Sequence, residues 1–304
     1  MNGIAVIFPG QGSQYVGMGK DLYESVPLAR EIFQKADDLL KVNLSKICFE
    51  GPEEELKQTK NTQPAIFLHS YILTQLLKNF SAAYTAGHSL GEYTALVFAG
   101  ALNFEDALKL VRLRGELMQK AGEEEKGSLA AIVGLDATIL EEICLKASEK
   151  GIVQCANFNS PGQIVISGSI TGLQLAMQMA KEAGAKMVKE LPVSGAFHSP
   201  LMASAKEGLS KAIDNTHFSN AKIPVYTNVT GNPIKNPAEI KNTLKEQLTS
   251  AVQWEKSIRN MISDGAKEFI EVGPGKVLQG LVKRINPDVK VIGIEKITDL
   301  SLFN

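Results

Sequence analysis

The sequence predicts an α/β protein: a large, α/β-hydrolase-like subdomain with a parallel sheet, into which a small ferredoxin-like subdomain is inserted. Three observations carry this. Ile4–Phe8 is an unbroken apolar run, as expected of a strand buried on both faces of a parallel sheet. Gly87-His88-Ser89-Leu90-Gly91 lies between a short apolar strand (81–86) and an apolar helix (92–102), the pattern of a nucleophile elbow. Residues 129–191 read strand, helix, strand, strand, helix, strand, which is the split βαβ order. The expected division is 1–124 and 194–304 for the large subdomain and 125–193 for the small one.

Residues 9–14, Pro-Gly-Gln-Gly-Ser-Gln, end the first strand in a tight loop at its C-terminal edge, where open α/β sheets place their sites. Gly10 and Gly12 lack the third glycine of a dinucleotide fingerprint, which argues against a Rossmann cofactor. Residues 28–40 repeat apolar side chains at helical spacing. Asn61-Thr62-Gln63-Pro64 reads as a cap followed by a first-turn proline, opening a helix through Leu77. His69 within it is expected to be a satisfied core or surface histidine. After the elbow, 104–120 is helical, with Leu108, Val111, Leu113 and Met118 as apolar positions. Arg112 and Arg114 stand two apart and so face different ways, and the spacing does not say which points inward.

Gly122–Gly127 is a polar boundary. The small subdomain then has strands at 129–135, 152–157, 163–167 and 186–191, a turn at 159–162, and helices at 137–150 and 171–183. Residues 192–200 form the return linker. They place His198 in a loop bounded by prolines, where two subdomains meet and clefts form. Helices at 203–213, 241–248, 254–263 and 276–285 follow, with strands at 224–229, 268–272 and 289–294 and turns at 231–233 and 273–275.

Composition sets limits. At 44% hydrophobic and 21% charged, the 304 residues are those of an ordinary globular protein. A formal net charge of -1 gives no global attraction to nucleic acid. Cys48, Cys144 and Cys155 are odd in number and lack metal spacing, which suits reduced thiols and no metal. The first residues lack a basic leader and cleavage region, and the apolar run 95–102 is far short of a membrane span. The expectation is a soluble, cytoplasmic monomer with no nucleic-acid or membrane partner.

The chemistry centres on Ser89. Glycine at both ends of the pentapeptide lets the backbone pass close, and a strained turn lifts the hydroxyl over the N-terminus of the next helix. Free N–H groups and the helix dipole there favour a developing oxyanion. The plainer alternative is a glycine-rich turn with an N-cap serine. A nucleophilic serine needs a base. His88 adjoins Ser89 and points away from it, and His217 lies in a polar, surface-like loop. His198 is the histidine in the cleft-forming loop, and serine before histidine is the chain order of elbow enzymes. No aspartate stands out as a third member.

Seven stretches, in order and spanning nearly the whole chain, resemble the malonyl-CoA:acyl carrier protein transacylase family. They are Phe8-Pro-Gly-Gln-Gly-Ser-Gln14, Gly87-His-Ser-Leu-Gly-Glu-Tyr93, Arg112-Leu-Arg-Gly115, Asn157-Phe-Asn-Ser-Pro-Gly-Gln163, Gly195-Ala-Phe-His-Ser-Pro-Leu-Met202, Val252-Gln-Trp254 and Glu271-Val-Gly-Pro-Gly275. The resemblance implies Ser89 as nucleophile and His198 as its base and then acid. It implies that the backbone carbonyl of Gln247, rather than a carboxylate, orients His198. Backbone N–H groups of Gln11 and Leu90 would form the oxyanion hole, and the Arg114 guanidinium would bind the free malonyl carboxylate. Arg112 would then be its solvated neighbour. Phe197 resembles malonyl-selective members, and His88 and Asn159 would line the pocket.

The implied reaction is a ping-pong transfer of malonyl from malonyl-CoA to the phosphopantetheine thiol of an acyl carrier protein, supplying fatty acid biosynthesis with no bound cofactor or metal. The same residues fit a polyketide or malonate-utilisation acyltransferase. A serine thioesterase or hydrolase on the same elbow competes. A non-catalytic docking module is disfavoured by the presence of both Ser89 and His198. Carrier proteins are usually acidic, so Lys186, Lys189, Lys276, Lys283 and Arg284 are candidates for a docking patch that weakens with salt.

Overall fold

The apolar runs become two sheets. In the computed structural model, which describes residues 3–77, 81–193 and 195–302, the strands are β1 (Ile4–Phe8), β2 (Tyr84–Gly87), β3 (Gly127–Val133), β4 (Val153–Ser160), β5 (Gln163–Ser169), β6 (Met187–Leu191), β7 (Val225–Tyr226), β8 (Pro233–Ile234), β9 (Glu268–Val272) and β10 (Lys290–Ile294). Met1 and Asn2, from the stretch read above for a leader, and Ser194, from the return linker, lie outside the described residues.

The larger sheet has the order β10-β9-β1-β2-β7-β8 and is parallel except for the β7–β8 pair. Its two buried faces follow from strand alternation. Val6 and Phe8 of β1 enter one apolar cluster with Ile270 and Val272 of β9, while Ala5 and Ile7 enter a second cluster with Phe269. Helices cover both faces, as parallel connections require. The expected strand at 224–229 is only two residues long, and the expected turn at 231–233 runs directly into β8.

The smaller sheet is antiparallel with order β4-β5-β3-β6. Ala130, Ile132, Ile164 and Ile166 point to one face, under helices Ala137–Ala147 and Ile170–Glu182. The alternate residues Leu129 and Val165 point the other way, into the larger core and the cleft beneath it. The smaller sheet therefore roofs a cavity at the C-terminal edge of the larger one.

Two helices deliver polar side chains to that cavity. Helix Thr59–Leu76 begins before Asn61, so Pro64 is inside it rather than in its first turn, and the expected cap is corrected. Asn61 Nδ2 instead donates to the Glu55 carbonyl at 3.0 Å. Pro64 cannot donate to the Lys60 carbonyl one turn back, and Arg112 Nη1 takes its place at 3.0 Å. Arg112 also donates to Asn61 Oδ1 and to Glu116. It is therefore a pin between two helices, not the solvated charge expected.

Helix Phe104–Glu124 buries Ala107, Leu108, Val111, Arg114, Gly115 and Met118 along one stripe, whereas Leu113 is only partly buried. Its N-cap is Asn103, whose side chain accepts from the Asp106 N–H. A Cβ on Gly115 would meet the Thr59 carbonyl oxygen at 2.7 Å, so glycine is what lets the two helices approach.

Candidate active site

Ser89 follows β2 at the head of helix Gly91–Phe98 with φ of 51°, the left-handed region that side chains rarely adopt. The turn closes because both flanking glycines lack a Cβ. One on Gly87 would lie 1.9 Å from the Gly91 carbonyl carbon, and one on Gly91 would lie 2.2 Å from the Phe8 carbonyl oxygen. Asn228, arriving just after β7, clamps the turn. Its Oδ1 accepts from the Ser89 N–H at 2.6 Å and its Nδ2 donates to the Gly87 carbonyl at 2.6 Å.

His198 is also held at positive φ, 57°, and is buried. Its Nδ1 lies 2.9 Å from the Gln247 carbonyl oxygen and its Nε2 lies 2.8 Å from Ser89 Oγ. A carbonyl only accepts, so Nδ1 carries the proton and Nε2 is left bare to accept the serine O–H. Gln154 Nε2 donates to the His198 carbonyl at 2.8 Å and fixes the loop. Burial, and then the Arg114 charge, push the His198 ring down to about 3, so it stays a neutral base at neutral pH.

Arg114 is completely buried. Nη2 donates to Ser89 Oγ at 3.0 Å and to Gln247 Oε1 at 2.9 Å, and Nη1 donates to Gln63 Oε1 at 2.7 Å. Nε has no partner among the described residues. The cation lies 5.8 Å from the Tyr93 ring centroid. A buried cation with only neutral acceptors and a spare donor is poised for an anion.

These groups open on a cavity of about 210 Å³, whose lining includes Gln11, Leu90, Met118, Asn159, Phe197 and Leu278. The backbone N–H groups of Gln11 and Leu90 have no partner among the described residues. His88 Nε2 is tied to Asn159 Oδ1 at 2.8 Å, with Trp254 5.5 Å from its ring, and so faces away from the serine proton. Every residue expected at the site therefore borders one cavity or supports it.

The other expectations fall elsewhere. His217 is exposed. His69 is buried, but neither ring nitrogen has a partner among the described residues, so it is not the satisfied histidine expected. Of the basic candidates, Lys283 donates to the Pro287 and Val289 carbonyls and Arg284 to Gln163 at the cavity mouth. Among the described residues none of the five pairs with a carboxylate.

Three supporting residues carry no role in the sequence reading: Gln63, Glu92 and Asn228. Glu92 Oε2 accepts from the Asn228 N–H at 3.0 Å and from Gln247 Nε2 at 2.8 Å. A lone carboxylate in the first turn of an apolar helix was a signal for Glu92. Asn228 has no comparable local signal, since it stands 139 residues from the amide it clamps.

Among the described residues no helix is long and apolar enough to cross a membrane, and no group of acidic, histidine or cysteine side chains has the makings of a metal site. Residues 6–294 match the acyl transferase domain family. The chain is 49% identical to a malonyl CoA-acyl carrier protein transacylase of Bacillus subtilis, over 97% of this chain and 94% of that one. It is 44% identical to one from Staphylococcus aureus, over 100% and 99%. An acyl carrier protein S-malonyltransferase structure from Vibrio cholerae superposes with a TM-score of 0.95 at 40% identity, covering 99% of both chains. A malonyl-transacylase solved in complex with its type II PKS acyl-carrier protein gives 0.94 at 37% identity, covering 98% of this chain and 97% of that one.

Proposed function

The chain belongs to the acyl transferase domain family, and from that premise we propose that it moves a malonyl group from malonyl-CoA to the phosphopantetheine thiol of an acyl carrier protein. The observation that carries the proposal is one oxygen with two partners. Ser89 Oγ faces a bare His198 nitrogen at 2.8 Å and a buried Arg114 nitrogen at 3.0 Å. The first makes the serine a nucleophile, and the second selects an acyl group that ends in a carboxylate.

In the first half-reaction Ser89 Oγ attacks the thioester carbonyl while its proton passes to His198 Nε2. The Gln11 and Leu90 N–H groups hold the resulting oxyanion, at about 3 kcal/mol per donor. The tetrahedral centre collapses, the carbon–sulfur bond breaks, and His198 returns the proton to the departing coenzyme A sulfur. In the second half-reaction the pantetheine thiol gives its proton to His198 and attacks the malonyl ester. Ser89 leaves with that proton, and the enzyme is restored. The Gln247 carbonyl holds the imidazole tautomer throughout. Phe197, His88 and Asn159 bound the acyl pocket. No bound cofactor is needed, because the thioester and the thiol arrive with the two substrates.

The α/β-hydrolase-like reading of the larger sheet is supported by the elbow at the end of β2 beside β1. The ferredoxin-like reading of 125–193 is supported by the β4-β5-β3-β6 order, in which β5 splits the β3–β4 crossover pair. The division at 124/125 and 193/194 is supported by the end of helix Phe104–Glu124 and of β6 beside those points. One acceptor supplies fatty acid synthesis. A polyketide carrier is a second reading, supported by the similarity to the transacylase solved with such a carrier.

The test is intact-protein mass after brief mixing with malonyl-CoA, beside Ser89→Ala. Gain of one malonyl group, absent from the variant and cleared faster by holo carrier protein than by water, supports transfer. Equal clearance by water indicates a hydrolase, and absence of any adduct refutes the malonyl site.

A further inference from the structure

Arg114 is fully buried, yet the groups it bonds, Gln63 Oε1, Gln247 Oε1 and Ser89 Oγ, are all neutral. Its compensation arrives through an amide relay. Gln247 accepts from Arg114 with Oε1 and donates with Nε2 to Glu92 Oε2, at 2.9 and 2.8 Å. Glu92 is itself 1% exposed and has no salt-bridge partner among the described residues. A buried cation and a buried carboxylate thus face each other across one glutamine side chain. A ligand carboxylate on Arg114 would replace one compensated charge with two anions around one guanidinium, in a site screened from water.

We infer that Glu92 is a proton acceptor coupled to malonyl binding: when the malonyl carboxylate pairs with Arg114, Glu92 takes one proton from solvent and releases it when the malonyl group leaves. This rests on the malonyl reading above. Oε2 keeps both of its hydrogen bonds, so Oε1 is the oxygen that receives the proton. The site charge is then the same before and after loading. An acyl group without a carboxylate brings no such proton.

The surroundings leave this exchange to Glu92. Burial already holds its carboxyl up at about 7, only partly offset by Asn228, Gln247 and Arg114. Arg114, from helix Phe104–Glu124, and Tyr93, beside it on its own helix, are the ionisable groups that act with it. Tyr93 is pushed up by burial and stays neutral. Helix Thr59–Leu76 carries Lys60, His69 and Tyr71; His69 is lowered by burial and feels Asp21 and Glu295, and none of the three is among the groups that act on Glu92. β1 brings none, and β2 brings Tyr84, which donates to the Asp264 carbonyl. His198 and His88 are both held neutral by burial.

The experiment is isothermal titration of Ser89→Ala protein at pH 8 with malonyl-CoA and with coenzyme A, each to saturation, in buffers of different ionisation enthalpy. Coenzyme A carries the same phosphates and no malonyl carboxylate. Malonyl-CoA is expected to take up most of one proton more than coenzyme A. Adding Glu92→Gln, which keeps the shape and both accepted hydrogen bonds, should abolish the difference. With Ser89 restored, the malonyl-CoA KM should climb above pH 7, towards about tenfold per pH unit, while that of Glu92→Gln stays flat. A purely structural role for Glu92 would move neither proton count nor pH profile. An equal proton count for the two ligands, or a difference that survives Glu92→Gln, overturns the inference. If Glu92→Gln does not fold, the two-ligand comparison decides alone. A malonyl-serine adduct without the extra proton sinks only the coupling, whereas no adduct and no malonyl-CoA binding sinks the malonyl reading with it.

Discussion

Replacing Arg114 with alanine should change substrate choice rather than simply inactivate the enzyme. The guanidinium is fully buried, donates to Ser89 Oγ at 3.0 Å, and has an Nε without a partner among the described residues. Removing one partner of a buried ion pair costs about 3–5 kcal/mol, or roughly two to four decades in kcat/KM for malonyl-CoA. Acetyl-CoA has no carboxylate to lose. It loses only the charged hydrogen bond to the nucleophile, about 1.5–3 kcal/mol. The malonyl-to-acetyl ratio should therefore fall by about 1.5–2 kcal/mol, or roughly ten- to thirtyfold, when both losses lie at the same end of their ranges, and by at most about 3.5 kcal/mol, or a few hundredfold. The assay is initial-rate transfer from each thioester to holo carrier protein, with thermal melting to confirm the fold. Equal losses for both thioesters would refute the carboxylate-binding role.

Three further outcomes follow from the same geometry. Asn228→Ala leaves the Ser89 N–H and Gly87 carbonyl unpaired in the interior, at about 1–3 kcal/mol each; melting and the rate of malonyl-serine formation should both fall, and an unchanged rate removes Asn228 from the elbow. His69 is held down at about 4 by burial, so the unfolded chain takes up a proton between about pH 6.5 and 4 that the native state refuses. Its contribution is full above pH 6.5 and lost as pH falls, so His69→Leu should gain stability relative to the parent through that window, by up to about 3 kcal/mol; parallel melting curves would contradict this. The raised Glu92 and Glu271 carboxyls act in the opposite sense over an overlapping range, which is why the comparison must be between variants. Finally, KM for carrier protein should rise with salt while the malonyl-CoA half-reaction changes less; a salt-independent carrier KM would rule out docking through Lys186, Lys189 and Lys276.

What could be read without coordinates was local or periodic. The elbow is five consecutive residues; the turn's own backbone requires glycine at Gly87, whereas Gly91 must be glycine because the Phe8 carbonyl of β1 passes close to it. The succession of strands and helices in the smaller subdomain followed from turn residues and alternation, which are local, whereas the β3–β6 pair joins segments separated by two helices and two strands. His198 emerged by elimination among four histidines.

Other features were decided by contacts between distant segments. A two-residue spacing could separate Arg112 from Arg114 but not rank them. The ranking comes from a stripe of apolar neighbours and from Gly115, which seats one helix against another and brings Gln63 to the guanidinium. Arg112 found its place only because Pro64 frees a carbonyl on that neighbouring helix. Glu92, Asn228 and Gln247 form a buried network joining residues 136 to 155 positions apart. The candidate nucleophile, its candidate base and the alternation of helices and strands were legible in the sequence, because these depend on short-range sterics and hydrophobic period. The tertiary structure alone decided which polar side chains are buried and whom they satisfy. Desolvation and hydrogen bonding depend on three-dimensional neighbours, and no local pattern records them.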